Sequence, residues 1–276
     1  MKIAAILTCY NRRDATINCI KKLKQQYKKI DIYVCDDAST DLTSETIKGT
    51  FPDVTLIESK GDLYWSKGMY LGMESAKSKK YDFYLMINDD VDFYDEMLET
   101  MLTAYKLANR RCGIVGSTRS VDTNELTYGG SILVNKLNIN RKKLLTPNGK
   151  IQKCDFANWN CFLIDRITIE RVGLIDNYYE HALGDYDYSC RMKKHDIPIY
   201  VAGNYVGTCE RNPISNTYRD SKLSRKKRTS LLLSIKGLPI KSTFRFYYRN
   251  YNIIGVPFFI WIYLRIFMSI IFKREC

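Results

Sequence analysis

The first 110 residues alternate short apolar runs with segments of helical periodicity. The apolar runs predict strands over residues 2–8, 31–35 and 54–58, and a fourth strand that begins at Tyr84 and stops at Asp89 and Asp90. Apolar positions at helical spacing predict helices over 13–27, 41–48, 67–78 and 97–108. Helices between consecutive strands imply right-handed parallel crossovers. The pattern therefore predicts an α/β fold with a mostly parallel, doubly wound sheet.

The second half of the chain has a different pattern. Short strand candidates lie at 113–117 and 131–134, separated by turn signals such as Gly129-Gly130. Further along, we expect a short helix over 166–172, a helix that begins around Asp187 and a strand over 197–201. The regular alternation of the first half is not expected to continue through this region.

Three pairs of acidic residues follow predicted strands and are the main candidates for chemistry: Asp36 with Asp37, Asp89 with Asp90, and Asp185 with Asp187. Open α/β sheets bind ligands at the carboxyl ends of their strands, and carboxylate oxygens suit Mg²⁺ or Mn²⁺. The alternative for the second and third pairs is helix capping, since each precedes a predicted helix. In the third pair, one aspartate would cap the helix and the other would act as a general base toward a hydroxyl group. A metal-bound diphosphate and a separate base are the minimum that sugar transfer from a nucleotide donor requires.

The net charge of +13 is concentrated near the carboxyl terminus. Residues 219–276 hold 13 basic and 2 acidic side chains, a net of +11, whereas residues 1–218 hold 30 and 28, a net of +2. This tail is rich in aromatic residues, and Arg265 is the only charged residue within 253–272. These features favour an amphipathic helix that lies in the plane of a membrane surface, with a spanning helix or a helix pair packed on the protein as alternatives. Nucleic acid is not an expected partner, because the apolar segment favours lipid.

Nine cysteines are scattered without metal-ligand spacing, and the amino-terminal residues lack the apolar length and cleavage site of a signal peptide. We therefore expect a reducing, cytoplasmic environment.

Five segments carry a resemblance to a known family: Leu7-Thr-Cys-Tyr-Asn-Arg12, Val34-Cys-Asp-Asp-Ala-Ser-Thr-Asp41, Gly61-Asp-Leu-Tyr-Trp-Ser-Lys-Gly-Met69, Ile87-Asn-Asp-Asp90 and Gly184-Asp-Tyr-Asp187. Each is a weak pattern alone, but their order along residues 2–210 is specific. The chain resembles family 2 inverting glycosyltransferases of the GT-A fold, especially bacterial rhamnosyl- and galactofuranosyltransferase-like members. The tail is then a helical, basic addition to that fold.

The resemblance implies roles for individual residues. The nucleotide-binding set would be Thr8, Tyr10, Asn11, Asp36, Asp37 and Asp89. Residues 88–90 occupy the place of the family's metal-binding motif, so Asp90 is the first expected ligand of Mn²⁺ or Mg²⁺ and Asp89 the second. Asp185 matches the family's general base, and Asp187 is the rival because Gly184 replaces the expected glutamate. Many relatives carry a histidine metal ligand on a later strand, but residues 206–212 contain none.

Aromatic and small residues complete the expected site. The substrate-binding set is Trp65, Gly68, Met69 and Trp159. A tryptophan face suits a sugar or a base, although the two tryptophans are equally compatible with a role in the core. His181 and His195 are expected at the surface or at helix ends, because neither has partners at metal-ligand spacing.

The predicted organisation is a GT-A domain over 1–218, divided into a nucleotide-binding half (1–110) and an acceptor-binding half (111–218), followed by the membrane-associating tail (219–276). The expected activity is inverting transfer of a sugar from a nucleotide-diphosphate donor to a glycan or lipid-linked glycan, in bacterial surface polysaccharide assembly. Its expected location is the inner face of the cell membrane, as a peripheral protein. The alternatives are a nucleotidyltransferase that makes an activated sugar and a non-catalytic membrane- or RNA-binding protein. The missing glycine-rich phosphate loop after the first strand argues against the former, and the acidic clusters argue against the latter.

Overall fold

The computed structural model describes residues 1–135 and 139–273. The strands are β1 (Ile3–Cys9), β2 (Ile30–Asp36), β3 (Thr55–Glu58), β4 (Phe83–Ile87), β5 (Asp92–Phe93), β6 (Gly113–Arg119), β7 (Leu126–Tyr128), β8 (Gly130–Leu133), β9 (Lys142–Leu144), β10 (Gln152–Cys154), β11 (Phe156–Ala157), β12 (Cys161–Asp165) and β13 (Ile199–Thr208). The helices are α1 (Arg13–Gln26), α2 (Thr43–Thr50), α3 (Tyr64–Lys77), α4 (Met97–Leu107), α5 (Arg166–Val172), α6 (Gly184–Lys194), α7 (Arg225–Leu233), α8 (Ile240–Tyr251) and α9 (Gly255–Ile271). A 3₁₀ turn, Asn252–Ile254, joins the last two helices.

One large sheet organises the fold, with the strand order β10-β13-β6-β12-β4-β1-β2-β3. The β4-β1-β2-β3 half is entirely parallel, as the alternation of strands and helices predicts. β12 enters between β4 and β6 and runs antiparallel to both, while β6 and β13 are parallel to each other. A second, three-stranded sheet has the order β11-β8-β9. The predicted α/β fold with a mostly parallel central sheet is confirmed.

The two faces of the sheet are covered by different helices. Along β1, Ile3, Ala5 and Leu7 point to a core shared with α1, α2 and α4, whereas Ala4 and Ile6 point to a core shared with α3, α5 and α6. This alternation follows from the two-residue repeat of a strand, and all five residues are fully buried. The sheet is therefore doubly wound, and its parallel strands end together at one edge.

Two helices begin earlier than the sequence pattern predicts. α3 begins at Tyr64 instead of residue 67, because the Asp37 carboxylate accepts hydrogen bonds from the backbone N–H groups of Leu63 and Tyr64, at 3.0 and 2.9 Å. α6 begins at Gly184 instead of around Asp187. A side chain at position 184 would come within 2.7 Å of Ser66 Oγ, so glycine lets the amino ends of α3 and α6 approach each other.

The tail packs against the rest of the protein. Asp176 pairs with Arg245 and Arg249 of α8, and Phe246 and Tyr247 of the same helix are buried. The tail is thus fixed to the rest of the protein by ion pairs and by apolar burial, as in the helix-pair alternative.

The eight cysteines within the described residues are free thiols. All are buried except Cys190, which is partly exposed. Burial raises the pKa of both Cys35 and Cys112 to about 12, with smaller contributions from nearby aspartates. These thiols behave as small apolar side chains of the core.

Candidate active site

A cavity of about 1000 Å³ opens at the carboxyl ends of the strands. Four segments contribute to its lining: the turn after β4, the amino end of α6, the segment that follows β13, and the connection between α7 and α8. Four of the predicted site residues line it, and they are Trp65, Asp90, Trp159 and Asp185. The structure therefore brings the predicted metal ligand and the predicted general base to one cavity.

Asp90 is the acidic residue of the β4 turn that faces the cavity. Its side chain is 33% exposed, and its Oδ2 accepts a hydrogen bond from Arg12 Nη1 at 2.7 Å. Cys209, which directly follows β13, places its Sγ 4.0 Å from Asp90 Oδ1. Burial and the Asp90 charge raise the pKa of the Cys209 thiol to about 12.

Asp89 lies behind Asp90 and is almost completely buried. Its carboxylate accepts hydrogen bonds from Arg12 Nη1 and Thr16 Oγ1, both at 3.1 Å. Burial raises the pKa of Asp89 to about 6, although Arg12 opposes the shift. Its position suits it to hold Arg12 and α1 in place rather than to contact a ligand in the cavity directly.

Asn88, which takes the place of the first acid in the family's motif, links two neighbours. Its Oδ1 accepts a hydrogen bond from Trp65 Nε1 at 2.8 Å, and its Nδ2 donates to Asn160 Oδ1 at 3.2 Å. An amide can donate and accept at the same time, whereas a carboxylate only accepts. The asparagine is thus suited to orient Trp65 in the cavity lining.

The donor set fits a divalent ion only together with a substrate. Within residues 1–135 and 139–273, no group of three or more histidine, cysteine or acidic side chains is arranged to hold a metal ion. Mg²⁺ is commonly held by one or two carboxylates together with substrate phosphates and water. Asp90 supplies one carboxylate in the cavity, so it would hold such an ion with a nucleotide diphosphate present.

Asp185 lies in the first turn of α6 and lines the cavity. Its Oδ1 accepts a hydrogen bond from the backbone N–H of Tyr186 at 2.8 Å. Burial raises the pKa of Asp185 to about 6, while this N–H group and the nearby Lys142 oppose the shift. A base with a pKa close to neutral is well matched to proton transfer at physiological pH.

Asp187 has a different environment, although it is only two residues away. Its side chain is fully buried and pairs with Arg191 at 2.9 Å. The other oxygen accepts hydrogen bonds from Asn250 at 2.9 Å and Tyr179 at 3.2 Å. These contacts hold α6 against its neighbours, so the geometry favours Asp185 over Asp187 as the base.

The first acidic pair is engaged by its own loops. Asp36 is buried and accepts hydrogen bonds from the backbone N–H of Ser39, from its hydroxyl and from Ser44 Oγ. Asp37 accepts from Ser59 Oγ at 2.6 Å as well as from the start of α3. Both carboxylates order the loops after β2 and β3, which favours a supporting role in the structure described.

The loop after β1 is tied to the loop after β2. Asn11 Oδ1 accepts a hydrogen bond from the backbone N–H of Thr40 at 2.7 Å, and the Asn11 N–H donates to Ser39 Oγ at 2.8 Å. Tyr10 is 53% exposed beside them, and Thr8 is partly exposed. Their nucleotide-binding role stays a prediction that rests on their place at the carboxyl edge of the sheet.

The two predicted tryptophans meet edge to face, with ring centroids 6.0 Å apart. Trp159 is buried and stacks on Phe162, at 5.3 Å, so most of it belongs to the core. Trp65 is partly exposed in the lining and is the one whose face is more available to a substrate.

Gly68 and Met69 lie on α3 one turn below Trp65, away from the cavity. A Cβ at position 68 would come within 2.6 Å of Thr8 Cγ2, and Met69 is completely buried in the core. Neither residue lines the cavity, as the predicted substrate contact would require. Both let α3 pack closely on β1 instead.

Several site residues carried no recognisable signal in the sequence. His181 lines the cavity, and burial together with Lys236 lowers its pKa. The charge of Lys142 acts on Asp185, and its ammonium group lies 4.0 Å from the ring centre of Tyr186. Residues 234–238 of the tail also line the cavity. Each residue reaches the site through tertiary packing, and none belongs to the acidic pairs that the sequence singles out.

Comparison with known proteins was made on sequence and on structure. The family model for glycosyl transferase family 2 matches residues 4–172, more than half of the chain. A curated relative, protein RfbJ of Shigella flexneri, is 28% identical over 126 residues, which cover 46% of this chain and 92% of RfbJ.

Solved structures resemble the fold at low sequence identity. GalNAc-T7 with UDP, GalNAc and Mn²⁺ has a TM-score of 0.61 at 13% identity, covering 99% of this chain and 58% of that one. Mannosyltransferase PcManGT of Pyrobaculum calidifontis, in complex with GDP-Man and Mn²⁺, has a TM-score of 0.57 at 15% identity, covering 98% and 73%. S. aureus TarS has a TM-score of 0.55 at 12% identity, and the aligned region covers 85% of this chain but 39% of the TarS chain.

The matched family segment contains the first two acidic pairs, and the structural likeness extends over nearly the whole chain. The family and fold expected from the sequence are thus confirmed. The chain belongs to glycosyl transferase family 2 and has the GT-A fold.

Proposed function

We propose that this protein is an inverting, metal-dependent glycosyltransferase. It moves a sugar from a nucleotide-diphosphate donor to a hydroxyl group of a glycan or lipid-linked glycan in the assembly of a bacterial surface polysaccharide. The observation that carries the proposal is that Asp90 and Asp185 line the same cavity, one at the end of β4 and the other at the start of α6.

The donor is expected to bind where Asp90 and the loops after β1 and β2 meet. PcManGT was solved with GDP-Man and Mn²⁺, and GalNAc-T7 with UDP, GalNAc and Mn²⁺. Both support a nucleotide-diphosphate sugar as the donor. A divalent ion at Asp90 would neutralise charge on the departing diphosphate. Arg12 pairs with both carboxylates of the β4 turn and keeps Asp90 in place at the cavity.

Asp185 is assigned as the general base of a single displacement. The Asp185 carboxylate takes the proton of the acceptor hydroxyl. At the same time, the hydroxyl oxygen bonds to the anomeric carbon from the side opposite the diphosphate. The bond from that carbon to the diphosphate oxygen breaks, and the diphosphate leaves with the electron pair. Attack from the opposite side inverts the anomeric configuration.

Trp65 gives a further argument for sugar transfer. An aromatic face packs against the apolar side of a sugar ring, and hydrogen bonding to Asn88 fixes the orientation of that face. Membership of the family also favours sugar transfer over the nucleotidyltransferase and non-catalytic alternatives.

The proposal is tested with the full chain and a panel of nucleotide sugars in the presence of Mn²⁺. Binding is first measured by thermal shift, since a ligand that binds the native state raises its apparent stability. Release of nucleoside diphosphate and the anomeric configuration of the product are then measured for the wild type and for Asp185→Asn. We expect an inverted product, and a turnover lower by about 10² to 10⁴ in the variant. A retained configuration, or equal turnover of the two proteins, would contradict the assignment.

A further inference from the structure

The last two helices present an apolar surface to solvent. Within the described part of the tail, the exposed apolar residues of the 3₁₀ turn and α9 are Ile253, Ile254, Ile260, Trp261, Leu264, Met268 and Ile271, each at least half exposed. We call this set the outer face of α9. Within α9, spacings of three and four residues place Ile260, Leu264, Met268 and Ile271 on one side of the helix, with Trp261 beside them. Seven large apolar side chains in this set are more than isolated surface residues explain.

The opposite side of α9 is committed to the protein. Tyr263, Ile266 and Ile270 are buried against Leu232 of α7, and Tyr263 donates a hydrogen bond to the Leu238 carbonyl at 2.7 Å. The outer face therefore cannot be covered by rotation of the helix without breaking this packing.

Residues Ile240–Ile271 are long and apolar enough to cross a membrane by length and composition. The structure folds this segment back on itself instead. Asn252 has a φ of 52°, and Phe259 of α9 contacts both Phe244 and Tyr247 of α8. A Cβ at Gly255 would come within 2.3 Å of the Tyr247 carbonyl oxygen, so the two helices meet closely at the bend. The 17 residues of α9 extend about 25 Å, less than the hydrocarbon core of a bilayer requires.

The charged side chains of the tail are almost all basic. Exposed basic side chains occur on α7, α8 and α9 and just beyond, at Arg225, Lys226, Lys227, Lys241, Arg265 and Lys273. Asp220 is the one acidic residue among residues 219–273. An apolar face on a strongly basic tail is complementary to an anionic lipid surface, and it does not match a face of its own kind in a second copy.

We propose that the outer face of α9 docks in the plane of an anionic bilayer and holds the protein there peripherally. The cytoplasmic leaflet, which carries anionic lipid, is the surface that fits. Leu238, which accepts the Tyr263 hydrogen bond, also lines the cavity, so α9 is one contact away from the site through its buried side. A lipid-linked acceptor would thus be met at the membrane surface. This last step rests on the proposed function, whereas docking itself does not.

The test is co-sedimentation of the full chain with vesicles of phosphatidylcholine alone or with about 30% phosphatidylglycerol, at low and high salt. We expect binding to the anionic vesicles only, weakened by salt. The variant Ile254→Ser/Trp261→Ser/Leu264→Ser should bind at least tenfold more weakly. A matched control, Leu107→Ser/Val121→Ser, changes side chains that are equally exposed elsewhere and should bind as the wild type does. Replacing Lys226 and Lys227 by Gln should weaken binding about fivefold for each residue that lies near the surface.

Two further readouts keep the proposal open to contradiction. Trp261 fluorescence should shift to the blue on anionic vesicles, and Trp261→Phe should lose the shift while it still sediments. Unchanged sedimentation of the triple variant would overturn the proposal. Resistance to alkaline carbonate would also overturn it, because that resistance indicates a spanning helix. A protein that does not bind vesicles but forms a concentration-dependent dimer, which the triple variant abolishes, would overturn it as well. Because vesicle binding is measured without donor or acceptor, its failure is distinguishable from failure of the proposed activity.

Discussion

Asn250 of α8 donates a hydrogen bond to Asp187 of α6 at 2.9 Å, only two residues from Asp185 in the cavity. Arg249 lies 3.6 Å from the same aspartate, and Lys194 of α6 donates to the Arg249 carbonyl at 2.7 Å. The tail is therefore in direct contact with the helix that carries the candidate base. The order of α6 depends on the tail as well as on the sheet.

The two aspartates of α6 should respond differently to the same substitution. Asp187→Asn removes one partner of a buried ion pair with Arg191 and should lower the free energy of unfolding by about 3 kcal/mol. Asp185→Asn should leave stability unchanged or slightly raised, since burial already penalises its charge. Urea unfolding of both variants measures this difference. If Asp185→Asn is the less stable of the two, the structural assignment of Asp187 is wrong.

Asp90 should couple nucleotide binding to a divalent ion. In Asp90→Asn, the increase in melting temperature given by nucleoside diphosphate with Mn²⁺ should disappear, while the melting temperature without ligand changes little. Asp92→Asn is the matched control, because Asp92 is 59% exposed and pairs with Lys22 outside the cavity. An equal shift in the wild type with Mn²⁺ and with EDTA would remove the metal from the proposal.

The pH dependence of turnover should follow Asp185. A general base works only when ionised, so kcat/KM should rise with pH through about 6 and level off above it, falling about tenfold per unit below. The raised pKa also means that the folded state binds this proton more tightly than the unfolded chain. Its contribution to stability is therefore complete below about pH 4 and lost as the pH rises through 6. Residual activity of Asp185→Asn should lack this pH profile, and an unchanged profile would point to another base.

Glycine at position 68 should be required by packing. Gly68→Ala would bring a methyl group within 2.6 Å of Thr8 Cγ2 and should destabilise the protein by about 1–3 kcal/mol. Gly49 is also helical, in α2, but among the described residues no atom beyond its chain neighbours and the backbone of its own helix lies within 4 Å of the point that its Cβ would occupy. Gly49→Ala should therefore stabilise by up to about 1 kcal/mol. Equilibrium urea unfolding compares the two, and equal effects would argue against close packing at Gly68.

Local patterns predict the elements of the parallel half well. The boundaries of β1, α1 and β2 lie within one residue of the expected ones, because apolar spacing there reflects burial on one strand or helix. The starts of α3 and α6 were less predictable. Asp37, which caps α3, lies 26 residues before Leu63 in sequence, and such a contact leaves no local pattern.

The candidate site shows the same difference between residues with a local sequence pattern and residues placed by long-range contacts. The acidic pairs of Asp90 and Asp185 stood out because they lie next to regular elements, and the family resemblance then chose between the two members of each pair. Met69 could not be separated from Trp65, because one helical turn along α3 changes the environment from cavity to core. The contribution of residues 234–238 to the cavity depends on how the tail folds back, which composition does not reveal.

The free thiols of the core also affect whether the protein unfolds reversibly. While the fold is intact, burial and a raised pKa leave little reactive thiolate on residues such as Cys35 and Cys112. Unfolding exposes all of them at once, with pKa values back in the ordinary range. In air, disulfides between unfolded chains would then trap the denatured state, so heating is reversible only with a reductant present. The rate at which a thiol reagent labels the native protein consequently reports how often its core opens.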